Sequence, residues 1–300
     1  MTAAARPLRI IVCTKRDLAG ALVLNHVLPK LAGDEVMVLL SDKTRPVENN
    51  VPELAEIKFL ERDLPIDTIF PLVDQSDHGD GRFGTFQGLA KRHGVPIKTV
   101  TDINAPQSEQ MIREFAPDLI LSARFSLIFK SNVFDIPRFG TFNVHPGALP
   151  RFAGLFAPFR CMVEGQDAIG CTLHKVDSGI DTGPLYGIGW LPIRPEKSLL
   201  WHVVNTYGPG LDLFFAMLND VRAGRAPELQ VQDRSQRAYG SLPDGHAFRE
   251  FAAQGYRLFS PTDYLEILQD FVPTAMRPQI DHLAHRAAST KGAPCCCEHA

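Results

Sequence analysis

Gly140-Thr141-Phe142-Asn143-Val144-His145-Pro146-Gly147-Ala148-Leu149-Pro150 begins as a β-prone run and is stopped by a Pro-Gly pair. A strand over 140–145 puts Asn143 and His145 two residues apart, and therefore on the same side of a sheet. Working outward from it, 8–13, 35–40, 95–100 and 117–122 are further β-rich runs. Between them lie helical patterns. One starts at Asp17 and carries Leu18, Leu22, Leu24, Val27, Leu28 and Leu31; one covers 83–93 and stops at Gly94; one covers 107–116. Strand alternating with helix at this spacing predicts an α/β fold with a mostly parallel sheet covered on both faces. In such sheets ligand sites gather at the carboxyl ends of the strands, where Asn143 and His145 fall.

Downstream, 169–176 and 183–192 are predicted strands, 199–218 a long helix, and 248–251 and 264–268 short helices. The stretch 43–80 is rich in Pro, Asn and Asp and shows no clean period, and an ordered element is not expected from about 272 onward. The expected organisation is a catalytic core over 1–190, the remainder of the core over 191–245, and a small helical extension with a cysteine-containing tail over 246–300.

The whole composition excludes several classes. At 300 residues and 45% hydrophobic, the chain can bury a sizeable core. A formal net charge of −3 is no footprint for a polyanion, so no nucleic-acid partner is expected. No apolar run approaches a membrane span, and no membrane partner is expected. Residues 1–7 lack the apolar core of a signal peptide, which makes the cytoplasm the expected compartment. Cys13, Cys161 and Cys171 sit in apolar stretches and read as core residues, while Cys295, Cys296 and Cys297 are adjacent near the end of the chain. Zinc ligands are normally spaced by two or more residues, so no metal is expected.

A second bracketed stretch, Val176-Asp177-Ser178-Gly179-Ile180-Asp181-Thr182-Gly183-Pro184, supplies a carboxylate to set beside the amide and the imidazole. Transfer of an acyl unit to an amine needs a donor for the oxyanion and a group that takes the amine's proton. Asn143 suits the first task, Asp181 the second, and His145 either. Each has a plainer use as well: a turn-forming Asn, a packed His, an Asp that holds a tight loop. Spacing by itself does not bring position 181 to position 145.

Asn-x-His-Pro-Gly-x-Leu-Pro, followed by Gly-x-Thr-x-His-x-Val-Asp-x-Gly-x-Asp-x-Gly-Pro, resembles the formyltransferase family that uses 10-formyltetrahydrofolate. The resemblance is strongest over 117–190 and looser over 8–245. It implies a Rossmann-like sheet, a catalytic set of Asn143, His145 and Asp181, and 10-formyltetrahydrofolate as formyl donor. It further implies a folate pocket touched by Phe125, Leu127, Ile128, Val176, Asp177 and Gly179, with Phe125 equally readable as core. Gly147 stands where the family often has Ser, a small change in a turn. His174 is implied to be a structural neighbour of the site. Arg9, Lys15, Arg16 and Arg82 read as solvated surface charges, with contact to a phosphate or carboxylate of the substrate as the alternative.

The expected acceptor is a small-molecule amine, such as an amino sugar or another biosynthetic intermediate, and a homodimer is left open. Two alternatives stand beside it. Formyltetrahydrofolate hydrolysis would put water in place of the amine. Methionyl-tRNA formylation would call for a basic loop after the second strand and a β-barrel after the core, and 42–50 reads as short of positive charge.

Overall fold

The computed structural model describes residues 6–76 and 81–289, with side chains as far as 285; the cysteine tail lies outside the described residues. Among the described residues nine strands run β1 Arg9–Lys15, β2 Glu35–Ser41, β3 Ile97–Val100, β4 Leu119–Ala123, β5 Thr141–His145, β6 Ala153–Gly154, β7 Ala168–Lys175, β8 Leu185–Pro192 and β9 Tyr239–Gly240. Seven of them form one sheet in the order β3-β2-β1-β4-β5-β7-β8. β3, β2, β1, β4 and β5 are mutually parallel; β7 runs antiparallel to β5, and β8 to β7. This is the mostly parallel, Rossmann-like α/β sheet expected from the sequence. β6 and β9 pair separately.

Ile10–Thr14 of β1 and all of β4 are buried, as strands covered on both faces must be. Alternation of apolar with polar residues is therefore absent from them, and their continuous apolar runs are what marks them in the sequence. The helix Leu18–Val27 follows β1 at once. Asp17 caps it, its Oδ1 accepting from Gly20 N at 2.8 Å. The chain order places the sheet's switch point between β1 and β4, whose carboxyl ends open onto the site.

Three expectations need correction. The described part of the patternless 43–80 stretch is largely helical: Pro52–Lys58, two π-turns over Phe59–Asp63 and Pro65–Ile69, and Phe70–Gln75. Each π-turn adds a residue to the turn and rotates the apolar stripe, so a search for a 3.6 period finds none. The helix expected over 199–218 is two, Leu199–Asn205 and Tyr207–Arg222. Beyond 272 the described residues carry a helix, Arg277–Ser289, which buries Ile280 and Ala284 one turn apart.

The C-terminal helices pack on the core. Tyr264 Oη donates to Leu60 O at 2.9 Å, and the Phe271 ring lies 5.3 Å from Phe70 and 5.4 Å from Phe83. Phe248 and Phe251 join Phe159 in a second apolar cluster. Cys13, Cys161 and Cys171 are buried thiols, and burial pushes the Cys161 thiol up to about 12.

Candidate active site

Asn143 is held by its neighbours in the sheet. Register places Ser122 on β4 and His174 on β7 directly beside it. Ser122 Oγ donates to Asn143 Oδ1 at 2.9 Å, and Asn143 Nδ2 lies 3.2 Å from His174 Nε2. His174 Nδ1 is 3.0 Å from Lys175 O, and a carbonyl only accepts, so Nδ1 carries the hydrogen and Nε2 accepts from the amide. Burial pushes the His174 ring down to about 4; Asp181 opposes that shift and His145 adds to it. A neutral His174 thus fixes the amide, and one Nδ2 hydrogen is left over. It is the hydrogen a developing oxyanion would take.

His145 is buried two residues further along β5. Its Nε2 lies 2.7 Å from Phe152 O, so Nε2 carries a hydrogen and Nδ1 faces the site. Gly147 makes this contact possible. A Cβ there would stand 2.5 Å from Phe152 O, 2.7 Å from His145 Nε2 and 2.8 Å from Ala157 Cβ. What reads in the sequence as a small change in a turn is a position with no room for a side chain. Thr172 pins the same turn, its Oγ1 donating to Gly147 O at 2.6 Å and accepting from Leu149 N at 3.1 Å.

Asp181 folds back onto this pair. Its Oδ1 is 3.6 Å from His145 Nδ1 and 3.8 Å from His174 Nε2, while Oδ2 accepts from Gly154 N at 2.8 Å. The residue has a φ of 55°, in the left-handed region that Asp tolerates better than most residues. The surrounding chain holds it there. Gln232 Nε2 donates to Asp181 O at 3.1 Å and to Gly183 O at 2.6 Å, and Arg237 Nη2 donates to Ile180 O at 2.9 Å. Asp177 Oδ1 accepts from Gly179 N at 3.0 Å and Thr182 Oγ1 at 2.6 Å, closing the loop on itself.

All nine residues named from the sequence line one cavity of ≈ 470 Å³: Asn143, His145, Asp181, Phe125, Leu127, Ile128, Val176, Asp177 and Gly179. Phe125 stacks on Phe129, centroids 5.3 Å apart, and Ile128 is 65% exposed beside it, an apolar wall open to a flat ligand. Sequence reasoning does not foresee that Ser122 orients Asn143, that Gln232 holds the Asp181 loop or that the Phe152 carbonyl fixes His145. Their signal is strand register and loop closure, which exist only once the chain is paired.

Residues 90–200 match the formyl transferase family. A methionyl-tRNA formyltransferase of Dehalococcoides mccartyi is 32% identical over 151 residues, covering 50% of this chain and 47% of that protein. The chain thus spans about half the length of the curated relatives it matches. Among solved structures, a 4-N formyltransferase from Francisella tularensis superposes with a TM-score of 0.53 at 14% identity, covering 87% of this chain and 88% of its own. A sugar 3N-formyl transferase, WlaRD, crystallised in the presence of dTDP and 5-N-formyl-THF, gives 0.50 at 17% identity over 78% of this chain and 69% of its own. At these identities the structures establish the fold. The match at 90–200 includes β4, β5, β7 and the Asp181 loop, so Ser122, Asn143, His145, His174 and Asp181 all lie inside the matched stretch.

Proposed function

We propose that this chain transfers a formyl group from 10-formyltetrahydrofolate to the amine of an acceptor. The observation that carries the reading is the convergence at one open cavity: a carboxylate 3.6 Å from one imidazole and 3.8 Å from another, beside an amide whose orientation is locked. In the reaction the acceptor nitrogen bonds to the formyl carbon and the carbonyl electron pair moves onto oxygen. Asn143 supplies its remaining Nδ2 hydrogen to that oxyanion. The amine's proton passes to Asp181 or to His145 Nδ1. The bond from carbon to the folate nitrogen then breaks, and that nitrogen regains a proton as the oxyanion collapses to the formamide. The folate-bound neighbour supports the donor, and the apolar wall of Phe125, Leu127, Ile128 and Val176 suits a flat ring.

For the acceptor, the curated relatives support methionyl-tRNA over the small amine expected from the sequence. The cavity rim adds to that support. Lys43, Arg45, Lys58 and Arg62 all line it. Arg62 is paired with Asp42 at 2.7 Å and Lys58 with Asp63 at 3.4 Å. Lys43 and Arg45 are exposed and make no ion pair among the described residues, which leaves two cations for an anionic acceptor. For the small amine speaks the helical character of every element after residue 240 among the described residues.

The test follows tetrahydrofolate release spectrophotometrically with 10-formyltetrahydrofolate plus either methionyl-tRNA or a dTDP-linked amino sugar. Release that requires one of the amines supports transfer and assigns the acceptor. Equal release without any amine makes the enzyme a hydrolase. No release under any condition overturns the proposal.

A further inference from the structure

The cavity has two chemically different ends. Phe125, Leu127 and Val176 pack on the apolar cluster of Ile103, Ile112 and Val133, on one side of the sheet's carboxyl edge. Lys15, Asp17, Glu61, Arg124 and Tyr207 line the other end, at the switch point between β1 and β4. The reaction centre lies along the same edge on β5, so a ligand in each end would meet there.

The polar end is a network of paired charges with one buried carboxylate oxygen left over. Arg124 donates from Nε to Asp17 Oδ2 at 3.0 Å and from Nη2 to Glu61 Oε2 at 2.6 Å. Asp17 Oδ1 caps the following helix. Lys15 Nζ stands 3.9 Å from Asp17 Oδ2. Glu61 is 5% exposed, and its Oε1 is buried with no hydrogen-bond partner. Burial raises the Glu61 carboxyl above its ordinary range, Arg124 opposes the shift, and Asp17 adds to it. An oxygen buried without a donor is destabilising, and where a native chain keeps one it marks strain, a functional role or a bound water or ion. Two further features point the same way. Glu61 sits on a π-turn, and Arg124 holds a φ of 63°; both distortions collect at functional sites.

We propose that this cluster is the acceptor's seat, with Glu61 Oε1 receiving a hydrogen bond from a hydroxyl or N–H group on the body of the amine acceptor. The inference rests on the formyl-transfer reading above. Lys15 and Arg124 balance Asp17 and Glu61, so the seat suits a neutral donor and repels a phosphate from its two carboxylates. A hydroxyl of an amino sugar and the terminal ribose of an aminoacyl-tRNA both offer that donor.

The experiment compares the full chain with its Glu61→Gln and Glu61→Leu variants. Tetrahydrofolate release is measured against a dTDP-linked amino sugar and against methionyl-tRNA, at saturating 10-formyltetrahydrofolate. For the acceptor that the wild type formylates, Glu61→Leu raises KM by at least about tenfold, the scale of one hydrogen bond to a charged group. The KM for the folate donor does not change. Glu61→Gln, which keeps one oxygen to accept, falls between the two and serves as the readout if the leucine variant does not fold. The probe whose KM moves identifies the source of the donor group. An acceptor KM equal in all three proteins overturns the seat while leaving formyl transfer intact. A wild type that formylates neither amine removes the formyl-transfer reading, and the seat with it.

Discussion

The carboxyl end of β5 and the π-turn segment over Phe59–Ile69 face the same cavity but are stabilised in opposite ways. At β5, the proposed oxyanion donor is placed by sheet register: Ser122, Asn143 and His174 stand side by side because β4, β5 and β7 pair as they do. Across the cavity, Glu61 is placed by charge, through a guanidinium shared with Asp17. Hydrogen-bonded register is redundant, since losing one side chain leaves the ladder intact. A buried ion triad is not, because removing its centre leaves two carboxylates facing each other.

Arg124→Ala therefore has the largest expected effect, and on stability. Breaking a buried pair by deleting one partner costs about 3–5 kcal/mol, since the remaining charge keeps its burial and loses its compensation. Urea denaturation at neutral pH measures it. A loss within about 0.5 kcal/mol, the ordinary range for surface changes, would mean that the π-turn segment is held by packing alone.

At β5 the expectation is reversed, with large losses of rate and small losses of stability. Asn143→Ala, His145→Ala and Asp181→Asn each lower turnover by at least about a hundredfold, the scale of one oxyanion donor or one acid–base group. Circular dichroism and urea midpoints near those of the wild type should accompany the loss. Wild-type rates in all three variants would remove the reaction centre proposed for β5 and leave the cavity a binding site.

Gln232 separates position from chemistry. It touches no reacting group, yet both carbonyls flanking the Asp181 turn accept from its Nε2. Gln232→Leu keeps the volume and removes both bonds. Turnover should fall between about tenfold and a hundredfold, as expected when a catalytic group is displaced by about an ångström. In an Asp181→Asn background the same substitution should change little, because a positioning residue has nothing left to position. Additive losses would assign Gln232 a role of its own.

The two regions also differ in how far the sequence discloses them. β1, β2 and β4 announce themselves as continuous apolar runs because both faces of each are covered. Asn143 and His145 share a face by alternation alone. That Asp181 meets them is beyond local reasoning: a loop with φ 55° at the acid, and two donors arriving from Gln232 and Arg237, close it from some fifty residues downstream. Only the resemblance to formyltransferases implies that contact ahead of the geometry. Glu61 is illegible for a different reason. Two π-turns break the helical period around it, and its partners come from the ends of β1 and β4. A glutamate in a patternless polar stretch looks like surface until the sheet beneath it is known.

His174 gives the smallest effect at neutral pH and the sharpest probe of the amide lock. Burial holds its ring at about 4, below the ordinary 6.5. Between those values the unfolded chain takes up a proton that the folded chain refuses. The contribution to stability is therefore complete above pH 6.5 and is lost as pH falls toward about 4. In His174→Gln the side-chain oxygen still accepts from Asn143 and the nitrogen still donates to Lys175 O, but nothing titrates. Urea midpoints measured across this window should fall more steeply for the wild type than for the variant; His202, also pushed down by burial, contributes to both and cancels. Turnover carries the second half of the test. A protonated His174 presents Nε2–H to the Asn143 amide hydrogens, so the amide must turn its oxygen toward the ring and give up its bond from Ser122. The oxyanion then meets the wrong end of the amide or none, so kcat of the wild type falls only as pH nears about 4, where the folded ring takes up its proton, while that of the glutamine variant does not. Parallel acid limbs in the two proteins would show that Asn143 is not oriented by His174.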